Sequence, residues 1–120
     1  MGINTDHVPV IFRTDPARRA CALLLVELEN LDDITIEEKK TSLHVVFNGA
    51  AFLGVHPRKD GIRLNLVHDY CPDSTRIQKS EQVSKSRFHN EVDLTSEARI
   101  DEELIGWIRD AYELRTYEMS

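Results

Sequence analysis

Apolar residues recur at helical spacing near each end of the chain. The first stripe consists of Ala17, Ala20, Cys21, Leu24, Leu28 and Leu31. These residues share one face of a helix with about 3.6 residues per turn. Asp15-Pro16 provides a helix start, with an acidic cap and proline at the first helical position. The pattern predicts a helix from Asp15 to between Asn30 and Asp33.

The second stripe predicts a helix near the C-terminus. Its members are Leu104, Trp107, Ile108, Ala111 and Tyr112. Asp101 can cap this helix, and Glu102 and Glu103 fall in the first turn, where negative charge suits the helix dipole. Arg115 falls near the other end, where positive charge is favourable.

Between the two stripes the pattern changes to short apolar segments that are typical of strands. Ser42–Phe47, Ala50–Val55 and Ile62–His68 are separated by the dipeptides Asn48-Gly49 and Asp60-Gly61. Both dipeptides favour tight hairpin turns. The segments therefore predict an antiparallel meander.

Four further segments complete the predicted fold. Residues 34–40 form a polar strand candidate, and residues 88–94 alternate as a strand does. Residues 75–86 fit either a short helix or a strand-like excursion, and residues 1–13 fit a short strand or an extended arm. We expect one domain over residues 1–120, of the α+β class, with an antiparallel sheet of four to five strands packed by an N-terminal and a C-terminal helix.

Two-residue loops at both turns would fix which residues lie opposite each other. The expected pairs are Phe47 with Ala50, Val45 with Phe52, His44 with Leu53, Arg58 with Arg63, His56 with Asn65, and Val55 with Leu66. One face then carries Val46, Ala51, Leu53, Val55, Ile62, Leu64 and Leu66, and we expect the helices to pack on it. The other face carries Val45, Phe47, Phe52 and Val67, followed toward the turn by His56, Asn65, Arg58 and Arg63.

This second face has the composition of a pocket for a small molecule or an anion, because it combines an apolar floor with a cationic end. Arginine offers a planar fork that matches carboxylate or phosphate. We therefore expect a soluble binding or interaction module whose cationic surface at the rim of the sheet takes a small anionic ligand or a protein partner. The candidate ligand-binding residues are His56, Arg58, Lys59, Arg63, Asn65, Lys85, Arg87 and His89. Alternatively, residues 1–13 or a second copy of the chain cover this face, so a homodimer is a further expectation.

Charge is distributed unevenly along a chain whose net charge is −6. Residues 39–90 contain nine Lys or Arg and four acids, whereas the flanks contain six Lys or Arg and seventeen acids. The basic residues Arg76, Lys79, Lys85 and Arg87 permit a nucleic-acid-binding alternative. The negative net charge, and Phe88 as the one aromatic residue in that run, count against it.

The sequence lacks the familiar signatures of catalysis. The five histidines show no HxxxH or HExxH spacing, and there is no GxSxG, phosphate-cradling loop or dinucleotide fingerprint. We therefore expect no metal or other cofactor and assign no catalytic residue. An enzyme remains an alternative, with an unrecognised site around His89, Glu91 and Asp93 together with Lys85.

Cys21 and Cys71 have no CxxC spacing and are expected to be free thiols in a reducing cytoplasm. No apolar run approaches the roughly 18 residues needed to cross a bilayer, and the N-terminus does not resemble a secretion signal. The expected setting is cytoplasmic, away from membranes.

Three segments carry a family resemblance, and they occur in the family's order. They are FLGVHPRKDGIRLNLV (Phe52–Val67), RIQKSEQVSKSRFHNEVDLTS (Arg76–Ser96) and IDEELIGWIRDAYEL (Ile100–Leu114). They resemble a family of small bacterial and archaeal domains of unknown function, loosely labelled predicted transport proteins and sometimes appended to nuclease-like or restriction-type proteins. The resemblance implies no catalytic or binding residue, and residues 1–33 lie outside it.

Overall fold

Two helices and six strands make up the fold in the computed structural model, which describes residues 5–95 and 100–118. In chain order the elements are α1 (Asp15–Leu28), β1 (Ile34–Glu38), β2 (Leu43–Phe47), β3 (Ala50–Arg58), β4 (Gly61–His68), β5 (Ile77–Ser84), β6 (Arg87–Leu94) and α2 (Glu102–Glu118). The strands form one antiparallel sheet in the order β1-β2-β3-β4-β6-β5. The predicted α+β class is confirmed.

The predicted strand number was too low, because the ambiguous segment from residue 75 to 86 contains a strand, β5. The chain passes from β4 to β5, but β4 pairs with β6, so β5 lies outside β6 at the edge of the sheet. The meander therefore extends only from β1 to β4.

Side-chain oxygens cap both helices at their first turns. The Thr14 hydroxyl accepts a hydrogen bond from the Ala17 N–H and donates one of 2.7 Å to the Lys59 carbonyl. Thr14 is therefore the cap, and Asp15, the predicted cap, lies in the first turn. Asp101 caps α2 as predicted, since its Oδ1 accepts from the Leu104 N–H at 3.0 Å.

The segment before α1 folds into turns rather than a strand over residues 5–13. The Arg18 guanidinium donates to four carbonyls of this segment, those of Thr5, Val8, Pro9 and Phe12. Val8 and Phe12 are buried in the core. The segment is thus packed against α1, and nothing is described for residues 1–4.

The core lies on one face of the sheet, between the strands and the two helices. Alternate residues of the central strand β4, at positions 62, 64, 66 and 68, are buried, whereas those at 63, 65 and 67 are partly exposed. Both helices bury their predicted stripes in the same cluster as these strand residues, with Leu31 and Tyr112 at its margin. The prediction that the helices pack on the aliphatic face is confirmed for Leu53, Val55, Ile62, Leu64 and Leu66, whereas Val46 and Ala51 lie outside the core cluster.

A bulge in the β2–β3 hairpin changes the predicted register. The turn has the expected Asn48-Gly49 loop, with positive φ at both residues, and Phe47 lies opposite Ala50 as predicted. The register then shifts between Val45 and Val46. The observed pairs are Val45 with Leu53 and His44 with Gly54, and the predicted partners of Val45 and His44 were wrong.

The bulge also moves apolar side chains from the predicted second face into the core. Val45 and Phe52 are both fully buried and belong to the core cluster. An apolar floor for the second face, which was the basis of the predicted pocket and dimer, is therefore largely missing.

The β3–β4 turn also differs from the prediction, because Lys59 and Asp60 form its loop and Gly61 is already paired with Arg58. A Cβ atom on Gly61 would lie 1.8 Å from the Leu94 carbonyl oxygen, so this glycine provides a close backbone approach and not a turn. The register moves by two residues, which gives the pairs His56 with Arg63 and Val55 with Leu64. An even shift preserves the side to which each residue points.

A buried polar network joins β4, β6 and α2. The His68 Nε2 lies 2.8 Å from the Trp107 carbonyl, and its Nδ1 lies 2.9 Å from the Asn90 side-chain nitrogen. A neutral ring satisfies both contacts by donating from Nε2 and accepting at Nδ1. Burial lowers the pKa of His68, although the Trp107 carbonyl and nearby Asp110 act in the opposite direction.

We predict opposite effects of alanine at two glycines. Gly61→Ala should lower the free energy of unfolding by about 2 kcal/mol or more, because backbone atoms must move to admit the Cβ. Gly106→Ala should raise it by about 0.5–1 kcal/mol, since Gly106 lies within α2 and a Cβ there meets nothing within 4 Å. Urea denaturation measures both. Equal effects of the two substitutions would contradict the described approach of Gly61 to Leu94.

We predict that His68 makes the protein less stable below its ordinary pKa of 6.5. Because the folded-state pKa is lowered, the unfolded chain binds the proton more readily, so stability is full above about pH 6.5 and falls as the pH decreases below it. His68→Gln can reproduce both hydrogen bonds without titrating, and its stability should depend less on pH over the range from about 7.5 to 5. His56 titrates in the wild type and in the His68→Gln variant alike. The difference between the two plots of unfolding free energy against pH, measured by urea denaturation, therefore reports on His68 alone. Parallel profiles would refute the assignment.

Candidate functional site

The face of the sheet opposite the helices is lined by polar, half-buried side chains. The pairing of β3, β4 and β6 places His56, Arg63 and Asp93 in one row across the three strands. The adjacent row contains His44, Gly54, Asn65, Glu91 and Lys79. We call this surface the open face.

Arg63 is committed to an ion pair on the open face. Its Nε and one terminal nitrogen donate to the two carboxylate oxygens of Asp93, at 2.6 and 3.0 Å. This bidentate contact lowers the pKa of Asp93 and raises that of Arg63. Arg63 therefore does not present an open fork to a ligand while the pair is intact.

His56 lies beside this ion pair in the space left by Gly54. A Cβ on Gly54 would lie 3.3 Å from the His56 Nε2 and 3.7 Å from the Asn65 Cβ, so glycine makes room for the imidazole. Burial is the main reason that the pKa of His56 is lowered, and nearby His44, Arg63 and Arg58 lower it further against the opposing effect of Glu91. His56 is therefore a neutral ring at pH 7, able to donate one hydrogen bond.

Asn65 provides an unsatisfied polar atom on the same face. Its side-chain oxygen is buried and has no hydrogen-bond partner among residues 5–95 and 100–118. A buried acceptor without a partner costs free energy.

A pocket of about 200 Å³ lies where the β3–β4 turn meets the end of β6. It is lined by Arg58, Lys59, Asp60, Gly61, Ile62, Asp93, Leu94 and Thr95. The Thr14 hydroxyl holds this turn to the start of α1 through the Lys59 carbonyl. We call this site the hairpin-end pocket, and its Asp93 belongs to the same row as His56 and Arg63.

The structure separates the eight predicted ligand-binding residues into two groups. His56, Arg58, Lys59, Arg63 and Asn65 lie on β3, β4 and the turn between them. His89, Lys85 and Arg87 lie toward the β5–β6 turn, at the other end of the sheet. Arg87 and Asp93 are six positions apart on β6, or roughly 20 Å at the usual rise of a strand.

The middle of the open face carries little net charge. Arg63 is neutralised by Asp93, while Lys79 on β5 lies across from Glu91. The positive charges that remain are at the ends of the sheet, and the hairpin end has Arg58 and Lys59 against Asp60. The predicted cationic surface is thus divided between the two ends of the sheet.

Sequence reasoning missed two parts of the hairpin-end pocket. Asp93 was considered as an acid and not as the partner of Arg63, and the wall formed by Leu94 and Thr95 was not anticipated. Both depend on β4 pairing with β6, which no adjacent turn specifies. The capping role of Thr14 could have been predicted from the sequence, because threonine is a favoured residue at the start of a helix.

Within residues 5–95 and 100–118, no group of three or more His, Cys, Asp or Glu side chains could hold a metal ion. Neither of the described helices has the length and apolar character required to cross a bilayer.

A family model described as "Domain of unknown function (DUF5655)" matches residues 12–115. The match extends over α1 and all six strands, well beyond the segments that carried the resemblance in sequence, and confirms the predicted uncharacterised family. The transport label and the association with nuclease-like proteins remain predictions. No curated protein and no solved structure matches the chain.

We predict that Arg63→Ala raises the pKa of His56. The substitution removes a positive neighbour and leaves the Asp93 carboxylate unpaired in the same row, and both changes favour the imidazolium. NMR titration of the imidazole signals measures the pKa. His68 is an internal reference, and the double variant with Asp93→Asn should show a smaller rise. An unchanged or lowered pKa of His56 would disprove the described coupling.

Proposed function

We propose that this chain, which belongs to the family described as a domain of unknown function (DUF5655), is a binding module that takes up a small anion in the hairpin-end pocket. The ligand would carry a carboxylate or a phosphate group. The proposal rests on one observation, two cationic side chains at the pocket that form no ion pair with a carboxylate of the described residues, although Asp60 and Asp93 line the pocket with them.

Arg58 and Lys59 are the cations that carry this proposal. Both line the pocket and are exposed, and neither forms an ion pair with a carboxylate of residues 5–95 or 100–118. Charge-assisted hydrogen bonds from arginine and lysine are the usual means of holding carboxylates and phosphates. Arg63, already held by Asp93, has a supporting role in fixing the pocket wall.

The dimensions of the pocket favour a small ligand or the charged end of a larger one. Sites for drug-sized molecules usually occupy about 300–1,000 Å³, and this pocket has about 200 Å³. Inorganic phosphate or a simple carboxylate fits that space, as does a terminal phosphate of a molecule that extends over the open face. His56 and Asn65 would meet such an extension.

The nucleic-acid alternative receives less support from the charge layout. A phosphate backbone needs a continuous row of cations, but Arg58 and Lys85 lie at opposite ends of the sheet with Glu91 and Asp93 between them. The backbone would have to pass these carboxylates. A small anion, in contrast, would need only the two cations of the β3–β4 turn, Arg58 and Lys59.

The contacts of Asp93 and the position of Lys85 do not favour the enzyme alternative. Asp93 is held by Arg63, and Lys85 lies in the turn at the other end of β6 from it. Burial raises the pKa of the Cys21 thiol to about 12, which keeps it protonated and unreactive. Both cysteines are free, in agreement with the reducing cytoplasm that we propose as the setting.

We predict that inorganic phosphate or citrate binds the protein and raises its melting temperature. Arg58→Ala and Lys59→Ala should each weaken binding about tenfold or more, because each removes a charge-assisted contact. Lys85→Ala is the matched control, an exposed turn lysine at the far end of the sheet. Isothermal titration calorimetry measures the affinities at fixed ionic strength.

Equal losses in Lys59→Ala and Lys85→Ala would indicate general attraction of anions and would contradict the pocket. The absence of binding by any phosphate or carboxylate would also overturn the proposal. A short DNA duplex tested in parallel separates the alternatives, because binding to a phosphate backbone weakens steeply as salt rises. Tighter binding of the duplex than of small anions would favour the nucleic-acid reading.

A further inference from the structure

The strand β5 leaves one edge of the sheet without a partner among the described strands. It has eight residues, and those from Gln78 to Ser84 are all exposed. An edge strand presents backbone N–H and C=O groups that can pair with another strand. The exposed edge of β5 is therefore available for pairing with a strand of another chain.

The sequence of β5 is close to a palindrome in chemical character around Ser80. The residues on either side form three related couples: Lys79 with Glu81, Gln78 with Gln82, and Ile77 with Val83. When a strand pairs antiparallel with its own copy across a twofold axis, positions equidistant from the centre lie opposite each other. The couple next to the centre, Lys79 with Glu81, would therefore become a cross-strand pair.

We propose that β5 is a self-association edge, which pairs antiparallel with β5 of a second copy of this chain about a twofold axis at Ser80. Lys79 of each copy then lies opposite Glu81 of the other, so that two opposite-charge pairs flank the axis. Opposite charges across neighbouring strands stabilise a pairing, and like charges oppose it.

The charged residues of β5 are available for this exchange. Lys79 and Glu81 have side-chain exposures of 64% and 58%, and their contact within the strand is long, at 3.9 Å. Such an exposed ion pair contributes little, so replacing it by a contact across the axis loses little. Ser80 itself is held toward its own chain by a 2.6 Å hydrogen bond to Asn90.

The pairing with β6 restricts β5 to one straight section. Register shifts occur between Ile77 and Lys79 and again between Gln82 and Ser84. Irregularities of this kind bend an edge and limit pairing beyond them. The straight section between them contains Ser80, so the proposed axis passes through the part of the edge best shaped for a partner.

The opposite edge of the sheet is less suited to self-pairing. The strand β1 has only five residues and carries Glu37 and Glu38. Pairing centred on Ile36 would place Thr35 opposite Glu37 and leave the acids of both copies without basic partners on the opposing strand. The charge pattern thus selects β5, and its use gives a closed dimer with a continuous sheet of twelve strands, six from each copy.

Charge exchange between β5 strands tests the proposal directly. Sedimentation velocity of the wild-type chain should show a dimer whose population rises with concentration. Lys79→Glu and Glu81→Lys should each weaken association at least tenfold, because each places like charges opposite each other twice in the dimer. An equimolar mixture of the two variants should restore it, since two acidic side chains of one variant would then face two lysines of the other across the axis.

Three controls distinguish pairing through β5 from other causes of association. The double variant Lys79→Glu with Glu81→Lys should dimerise like the wild type, and native mass spectrometry with one 15N-labelled variant identifies the mixed dimer. Lys39→Glu at the β1 end should leave association unchanged, and thermal melting verifies that every variant is folded. A wild-type monomer up to about 1 mM, or single variants that dimerise as the wild type does, would overturn the proposal.

Discussion

The close approach of Gly61 to the Leu94 carbonyl is the contact on which the arrangement of the sheet depends. With no side chain at Gly61, the end of β6 lies directly against the β3–β4 turn. From this follow the pairing of Arg63 with Asp93 and the pocket wall formed by Leu94 and Thr95. The position of β6 beside β4 also moves β5 to the edge. One missing Cβ thus shapes both surfaces to which we assign binding.

On our proposal, the hairpin end attracts anions although the protein has a net charge of −6. The carboxylate of Asp93 neutralises Arg63, which leaves the open face without strong charge. At this end Arg58 and Lys59 form no ion pair with a carboxylate of the described residues, and Asp60 lies beside them in the turn. Screening limits the reach of the distant acids to about 10 Å at ordinary ionic strength, so local charge, not net charge, governs what the pocket attracts.

The sequence was informative wherever a feature depends on neighbouring residues. The helical stripes of α1 and α2 follow from spacing alone. The predicted faces of β4, and of β3 from Leu53 onward, survived an error in register because the shift was by two residues. The bulge at Val45 was not predictable in this way, since Val45 and Phe52 reach the core only through an irregular pairing.

Contacts between segments that are distant in the chain could not be predicted from the sequence either. The Asp60-Gly61 dipeptide is a common turn signal, but Gly61 serves a contact with Leu94, more than thirty positions later in the chain. The same separation concealed the Arg63–Asp93 pair, because alternating polarity indicates that a segment is a strand and says nothing about which strand lies beside it.

The two proposed surfaces are independent in position. The hairpin-end pocket lies beside the Ile77 end of β5, because Ile77 pairs with Val92 and the pocket includes Asp93 and Leu94. A twofold axis at Ser80 brings that end of one copy next to the Val83 end of the other. The two pockets would therefore lie on opposite sides of the axis and would not share a ligand. Any coupling between anion binding and self-association must pass through β6, the strand that contacts both.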